Sequence, residues 1–223
     1  MHILFVGNSY TYYHDMPKML ARLCLENGKD VCVDSVTKGG RKLYENLDPE
    51  DQYHQSIKEK CAARQYDVLF VQEQSYFALA DYEKFMEGVV GVRQMVNPKS
   101  TVLYATWGRK EGCPLLEKLG LSSSEMTASL SAAYARAAKT VGADLSPVGE
   151  CFALATEQAP DIELYSEDLS HPSPVGSALA ATVHYRTLFG EMPSVISIFE
   201  DLEIADRLCN VIAQVPQYPL RKI

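Results

Sequence analysis

The reading of this chain turns on its first twelve residues, Met1-His2-Ile3-Leu4-Phe5-Val6-Gly7-Asn8-Ser9-Tyr10-Thr11-Tyr12. Ile3 to Val6 is an unbroken apolar run that stops at Gly7. So short a run, apolar at every position, reads as a strand buried on both faces in the middle of a parallel sheet. Ligands of open α/β sheets bind beyond the carboxyl ends of the strands. Ser9, two residues past a glycine that frees the backbone to turn, is therefore offered at the edge of a crevice. Gly-Asn-Ser alone is ordinary turn composition, and it gains weight only from a second motif near the other end of the chain.

Working outward, Met16, Met19, Leu20, Leu23 and Cys24 recur at helical spacing, with Pro17 in the first turn and Gly28 at the end. Val31 to Val36 is a second strand, ending at Lys38-Gly39-Gly40, and Asp48-Pro49 marks a helix start. Val68 to Val71 is the third strand and runs into Gln72-Glu73-Gln74-Ser75. Tyr82, Phe85, Met86, Val89 and Val96 describe an amphipathic helix closed by Asn97-Pro98. Thr101 to Ala105 is the fourth strand, residues 107–121 read as a long loop, and Ser122 with Glu125 forms a capping box for a helix through Val141. Asp144 to Val148 is the fifth strand, followed by a short helix over 151–158 and an irregular loop over 161–172. Ser173-Pro174 opens the last major helix, and a final one spans 201–213.

Strands alternating with helices predict a three-layer α/β/α sandwich around a five-stranded parallel sheet with right-handed crossovers. The expected order is 2-1-3-4-5, which puts the switch point between the first and third strands, where the Ser9 loop ends. With no repeat, low-complexity tract or linker, residues 1–223 read as one domain.

Composition limits the function. Hydrophobic residues make up 47% and charged residues 22%, as in globular proteins, and the net charge of −8 argues against nucleic-acid or anionic-membrane surfaces. No apolar run approaches a membrane span, and no basic segment precedes the early hydrophobic run, so a cytoplasmic location is expected. The six cysteines are scattered and read as free thiols rather than as a disulfide framework or a zinc site. No metal or organic cofactor is expected, and the oligomeric state is left open.

The second motif is Asp168-Leu169-Ser170-His171-Pro172-Ser173. A hydrolytic serine needs a base for its proton, and the base needs a carboxylate to fix its tautomer and stabilise the imidazolium. Asp168 and His171, three apart in a loop, can fold so that the carboxylate meets one ring nitrogen while the other faces away. Pro172 biases His171 to an extended backbone. The pair equally suits a helix cap, so the motif counts only in combination.

Together these features resemble the SGNH (GDSL-type) hydrolases over nearly the whole chain. Gly7-Asn8-Ser9-Tyr10-Thr11 looks like that family's first block, usually Gly-Asp-Ser, which implies Ser9 as nucleophile. Gly40 looks like the second-block glycine whose N–H helps bind the oxyanion, and Asp168-x-x-His171 like the fifth block. The resemblance implies a flavodoxin-like fold, a serine esterase with an acyl-enzyme, and a small-molecule ester as substrate, foremost a short acyl (acetyl) ester on a carbohydrate. Two positions depart from the family pattern. Asn8 stands for the usual Asp, and Gln72-Glu73-Gln74-Ser75 stands where the third block ends Gly-x-Asn-Asp. Gln74 is in register with the oxyanion-binding Asn and carries the same carboxamide donors on one more methylene, with Gln72 as the fallback.

Asn8, Tyr10, His14, Tyr76 and Trp107 are candidate substrate contacts, since aromatic faces beside polar tips suit sugars and compact acyl groups. Arg109 and Lys110 have two readings, a pair that meets a substrate anion and, ahead of it, a solvated loop pair, while Cys151 reads as a buried structural thiol. Other chemistries lack their signatures: there is no Gly-x-Ser-x-Gly elbow, Walker loop, Gly-x-Gly-x-x-Gly or His-Glu-x-x-His. The alternatives are a thioesterase or lysophospholipase of the same fold, or a catalytically silent binding module.

Overall fold

A computed structural model of the chain describes residues 1–216 and residue 220. Its sheet comprises β1 (His2–Gly7), β2 (Cys32–Thr37), β3 (Val68–Val71), β4 (Ser100–Tyr104) and β5 (Asp144–Ser146), all parallel, in the order β2-β1-β3-β4-β5. The register puts Phe5 between Ser35 and Phe70.

The apolar runs that identify the strands also divide the core. Successive strand residues point to opposite faces. Ile3, Phe5, Val68, Phe70, Val102 and Tyr104 belong to one buried cluster, and Leu4, Val6, Leu69, Val71, Leu103 and Leu145 to another. Over the first face lie α2 (Met16–Glu26), α8 (Val148–Gln158), α9 (Pro174–Phe189) and α10 (Leu202–Gln214). Over the second lie α3 (Gln52–Ala63), α5 (Tyr82–Val96) and α7 (Ser123–Val141). Because the central strands are covered twice, neither face can tolerate polar alternation. That is why the runs are uniformly apolar.

The helix ends follow their local chemistry. Ser122 accepts from the Glu125 N–H while Glu125 reaches back to Ser122, and Ser173 accepts from the Gly176 N–H just ahead of Pro174. Each such cap contributes about 1 kcal/mol. α9 is buried along nearly its whole length, which suits the small side chains at Gly176, Ser177, Ala178, Ala180 and Ala181.

Several boundaries differ from the expected ones. The segment 107–121 is not a plain loop, because it contains α6 (Pro114–Leu119), a helix too short to show periodicity. The fifth strand stops at Ser146, and α8 starts at Val148 rather than 151. α3 starts after Asp51, which caps it, instead of at Pro49. Short helices also form at α1 (Ser9–Tyr12) and α4 (Phe77–Ala80). Among the described residues all six cysteines are free thiols, and no helix is long and apolar enough to cross a membrane.

Candidate active site

Gly7 ends β1 at a point of close approach, where a β-carbon would lie 2.5 Å from Thr11 Oγ1 and 2.8 Å from Gln72 Oε1. The chain then turns into α1 with Asn8 as its N-cap. Asn8 Oδ1 accepts from the Tyr10 N–H (3.2 Å), and its Nδ2 donates to the Arg41 carbonyl (3.0 Å). The Asn8 N–H donates to Gln72 Oε1 at 2.9 Å, as does the Thr11 hydroxyl at 2.9 Å. Ser9 is thus the first residue of a helical turn tied to the loops after β2 and β3. Its own N–H, like any at a helix start, has no intrahelical acceptor.

The loop before α9 is equally constrained. The Asp168 carboxylate accepts from the backbone N–H groups of Ser170 (3.1 Å) and His171 (2.9 Å). Leu169 is in the left-handed region (φ +61°), a conformation unusual for a leucine and typical of functional turns. Trp107 Nε1 donates to the Ser170 carbonyl (3.1 Å) and the Lys110 N–H to that of Leu169 (2.9 Å), so the end of β4 grips the turn.

The two ends of the chain meet. His171 Nε2 lies 2.8 Å from Ser9 Oγ, and His171 Nδ1 is hydrogen-bonded to Asp168 Oδ2. Burial alone would raise the Asp168 pKa. The hydrogen bonds from the His171 ring and from the His171 and Ser170 backbone outweigh it, and the net shift is below the usual carboxylate range. Tyr13 stacks flat on the His171 ring, with centroids 4.3 Å apart and planes within 8°.

Ser9, Asn8, Tyr10, Gly40, Gln74, Ser75, Arg109, Ser170 and His171 line one small cavity of about 120 Å³. Gly40 reaches it in a left-handed turn (φ +69°), which suits a residue without a β-carbon.

Of the other candidates, Gln72 does not line the cavity. Its oxygen takes the two bonds from Asn8 and Thr11, and its nitrogen donates to the Glu73 carbonyl. Trp107 is fully buried and sandwiched between Tyr10 (4.6 Å) and Phe152 (4.0 Å), so it supports the loop from beneath and does not line the cavity. Tyr76 packs at the margin of the second core cluster and is not a lining residue. His14 is turned to α9, with Nδ1 3.0 Å from Ser177 Oγ, and is also outside the cavity. Asn8 and Tyr10 do line it, but the Asn8 amide is held by backbone, and the Tyr10 hydroxyl meets Ser170 Oγ at 2.9 Å. Burial pushes the Tyr10 pKa up to about 12, against the opposing charge of Arg109, so the phenol stays neutral.

Arg109 departs from the solvated-loop reading. It lines the cavity instead of pointing to solvent, while Lys110 pairs with Glu163. Tyr13, Ser75 and Ser170 were also not singled out by position, although Tyr13 stands in the aromatic crowd after Ser9 and Ser170 inside the Asp-x-x-His motif. Behind the site, Glu73 is fully buried and accepts from the Leu43 N–H (3.2 Å to each oxygen) and the Gln74 N–H (2.6 Å).

Sheet order, crevice and the Ser–His–Asp series together define an ester hydrolase of the serine class. No protein-family model matches the chain, and no curated protein does. Among solved structures, a protein from Slackia heliotrinireducens described as an SGNH hydrolase is 33% identical, covering 84% of this chain and 98% of its own, with a TM-score of 0.71. The chain belongs to the SGNH hydrolase family. Two more distant structures share its fold. A DUF4886 family protein from Bacteroides uniformis is 17% identical (95% and 93% covered, TM-score 0.77). An acetyl xylan esterase from Geobacillus stearothermophilus is 15% identical (83% and 93% covered, TM-score 0.54).

Proposed function

We propose that this chain, acting as one domain, hydrolyses a short acyl ester, foremost an acetyl ester on a carbohydrate or similar small molecule, with Ser9 as nucleophile, His171 as base and Asp168 as its orienting carboxylate. The observation that carries the proposal is the 2.8 Å contact between Ser9 Oγ and His171 Nε2, with Asp168 on the far ring nitrogen. His171 takes the Ser9 proton as Oγ attacks the ester carbonyl, and the carbonyl oxygen becomes an oxyanion. In this reading the Ser9 and Gly40 N–H groups and the Gln74 carboxamide, from residues that all line the cavity, are the donors to that oxygen. As the tetrahedral intermediate collapses, the alcohol leaves with the proton from His171. Water then attacks the acyl-enzyme, His171 takes its proton, and the second collapse frees the carboxylic acid and returns the proton to Ser9. Asp168, held ionised, keeps the imidazole in the required tautomer throughout.

The size of the cavity favours a short acyl group. About 120 Å³ amounts to roughly four waters at liquid density, a size that suits an acetyl group. The acetyl xylan esterase among the structural neighbours supports the same class. The free thiols support a reducing, cytoplasmic setting. A fluorophosphonate probe tests the chemistry: a covalent adduct is expected on the wild type and none on Ser9→Ala, and an unlabelled wild type would refute it. Nitrophenyl esters should be cleaved fastest as the acetate. A preference for long chains would favour the thioesterase or lysophospholipase reading instead.

A further inference from the structure

We propose that the Ser75 hydroxyl, positioned and polarised by Arg109, is a further oxyanion donor, one residue past Gln74, which stands in register with the family's asparagine. The proposal rests on the esterase reading above and deepens it. Ser75 is only 4% exposed, yet it lines the catalytic cavity with Ser9, Gly40 and His171. Its Oγ accepts two hydrogen bonds, from Gln74 Nε2 (3.0 Å) and from Arg109 Nη2 (2.9 Å). A serine hydroxyl has two lone pairs and one O–H. With both lone pairs engaged, the proton is the only group left, and it must point away from the two donors. Among the described residues no acceptor is recorded for it. A buried hydroxyl that has spent its acceptor capacity and kept its proton is a fixed donor awaiting an anion.

Arg109 makes that donor stronger. Among the described residues no carboxylate pairs with its guanidinium, and its Nε is buried without a partner. The group lies over the Tyr10 ring, 5.8 Å from the centroid, and Tyr10 is itself a lining residue. A hydrogen bond received from a cation polarises the hydroxyl that receives it, and bonds in such chains reinforce one another. The ester carbonyl in the ground state carries little charge, whereas the tetrahedral oxyanion carries a full one. The Ser75–Arg109 pair therefore favours the transition state over the substrate, and this difference is what raises kcat. In this assignment Ser75 is catalytic, Arg109 is a positioning residue, and part of the Gln74 carboxamide is committed to orienting Ser75.

The test is steady-state hydrolysis of nitrophenyl acetate by Ser75→Ala, Ser75→Thr, Arg109→Gln and Arg109→Lys, each checked for folding by Tm and by the fluorescence of the single tryptophan. Ser75→Ala should lower kcat by about 10²–10³-fold with KM nearly unchanged, and Ser75→Thr, which keeps the hydroxyl, should recover most of it. Arg109→Gln should lower kcat by at least about 10-fold, with partial recovery in Arg109→Lys, and a trifluoromethyl ketone should bind the weakened variants less tightly in proportion. A folded Ser75→Ala with wild-type kcat overturns the proposal. So does an Arg109→Gln that leaves acetate hydrolysis intact and raises KM only for a hemisuccinate ester, since Arg109 would then bind a substrate anion. Should the Ser75 variants not fold, the kcat and KM of the Arg109 pair decide the matter by themselves. Fluorophosphonate labelling of the wild type at Ser9 is independent of these comparisons, so failure of the esterase reading is told apart from failure of this one.

Discussion

Replacing Glu73 by Gln should remove a pH dependence of stability that the wild type carries. Glu73 lies between the two loops that build the cavity, accepting from Leu43 beyond the Gly40 turn and from Gln74 on the other side. Burial pushes its pKa from the usual 4.5 to about 8, only partly offset by the Gln74 and Leu43 N–H groups. A carboxyl with a folded-state value above its unfolded one binds more protons folded than unfolded between the two. Its stabilising effect is complete below about pH 4.5 and is lost as pH rises through about 8. At about 1.4 kcal/mol per pK unit, the loss between pH 6 and pH 9 comes to about 2–3 kcal/mol.

The glutamine side chain in Glu73→Gln keeps an oxygen for the two backbone donors and cannot ionise. Its amide nitrogen has a cost of its own, but that cost is the same at every pH. Urea unfolding of both proteins at pH 6, 7.5 and 9 isolates the titration, because the other groups cancel in the difference. The expected result is a gap between wild type and Glu73→Gln that shifts by about 2–3 kcal/mol toward the variant as pH rises. Parallel curves would show that Glu73 is already ionised at pH 6, stabilised by its two N–H donors, and would refute the reasoning.

Two further substitutions separate packing from chemistry. Trp107→Ala should destabilise the fold by about 3–5 kcal/mol, as expected for a buried aromatic, and leave the preference among acyl chains unchanged; an altered preference in a stable variant would return Trp107 to the substrate site. Tyr13→Ala should lower kcat by about 2–10-fold at nearly constant KM, because stacking on His171 contributes about 0.5–1.5 kcal/mol to holding the imidazole, while Tyr13→Phe should be close to wild type. Equal losses in both variants would assign the role to the hydroxyl.

The fold was legible because its signals are local and repeated. Doubly covered parallel strands must be apolar throughout, and Ser122, Ser173 and Pro174 announce helix starts by their own hydrogen-bonding chemistry. α6 was hidden because six residues between a cysteine and a glycine hold less than two turns of pattern. In the site, Ser9, Asp168 and His171 could be found because each belongs to a short motif. Trp107 misled, since a loop aromatic reads the same in sequence whether it faces a ligand or the core. The choice between Gln72 and Gln74 depended on which carboxamide the Asn8 and Thr11 donors would claim, and those lie more than sixty positions away. Arg109 carried only the weak signal of a basic residue in a long loop. A basic residue in a polar loop is ordinary until the tertiary fold shows that, among the described residues, no acid pairs with it.

The loop contacts also explain why this site can hold its geometry with so few residues of its own. Ser9 and His171 come from segments 162 positions apart, so chance fluctuation of either loop would part them. Neither loop is fixed by its own strand alone. Asn8 is clamped by the Arg41 carbonyl after β2 and by Gln72 after β3, while Ser170 is gripped by Trp107 after β4 and by Tyr10 beside Ser9. The Tyr10–Ser170 bond joins the two loops directly, and the Tyr10–Trp107 stack closes a ring of contacts around it. Motion that carries one loop away from the other must therefore disturb packing that runs down to Phe152 in the core. Buried hydrogen bonds and aromatic stacking of this kind cost energy to disturb together, which holds the Ser9 and His171 loops in place and, in the proposed reaction, keeps the reacting groups close before substrate arrives.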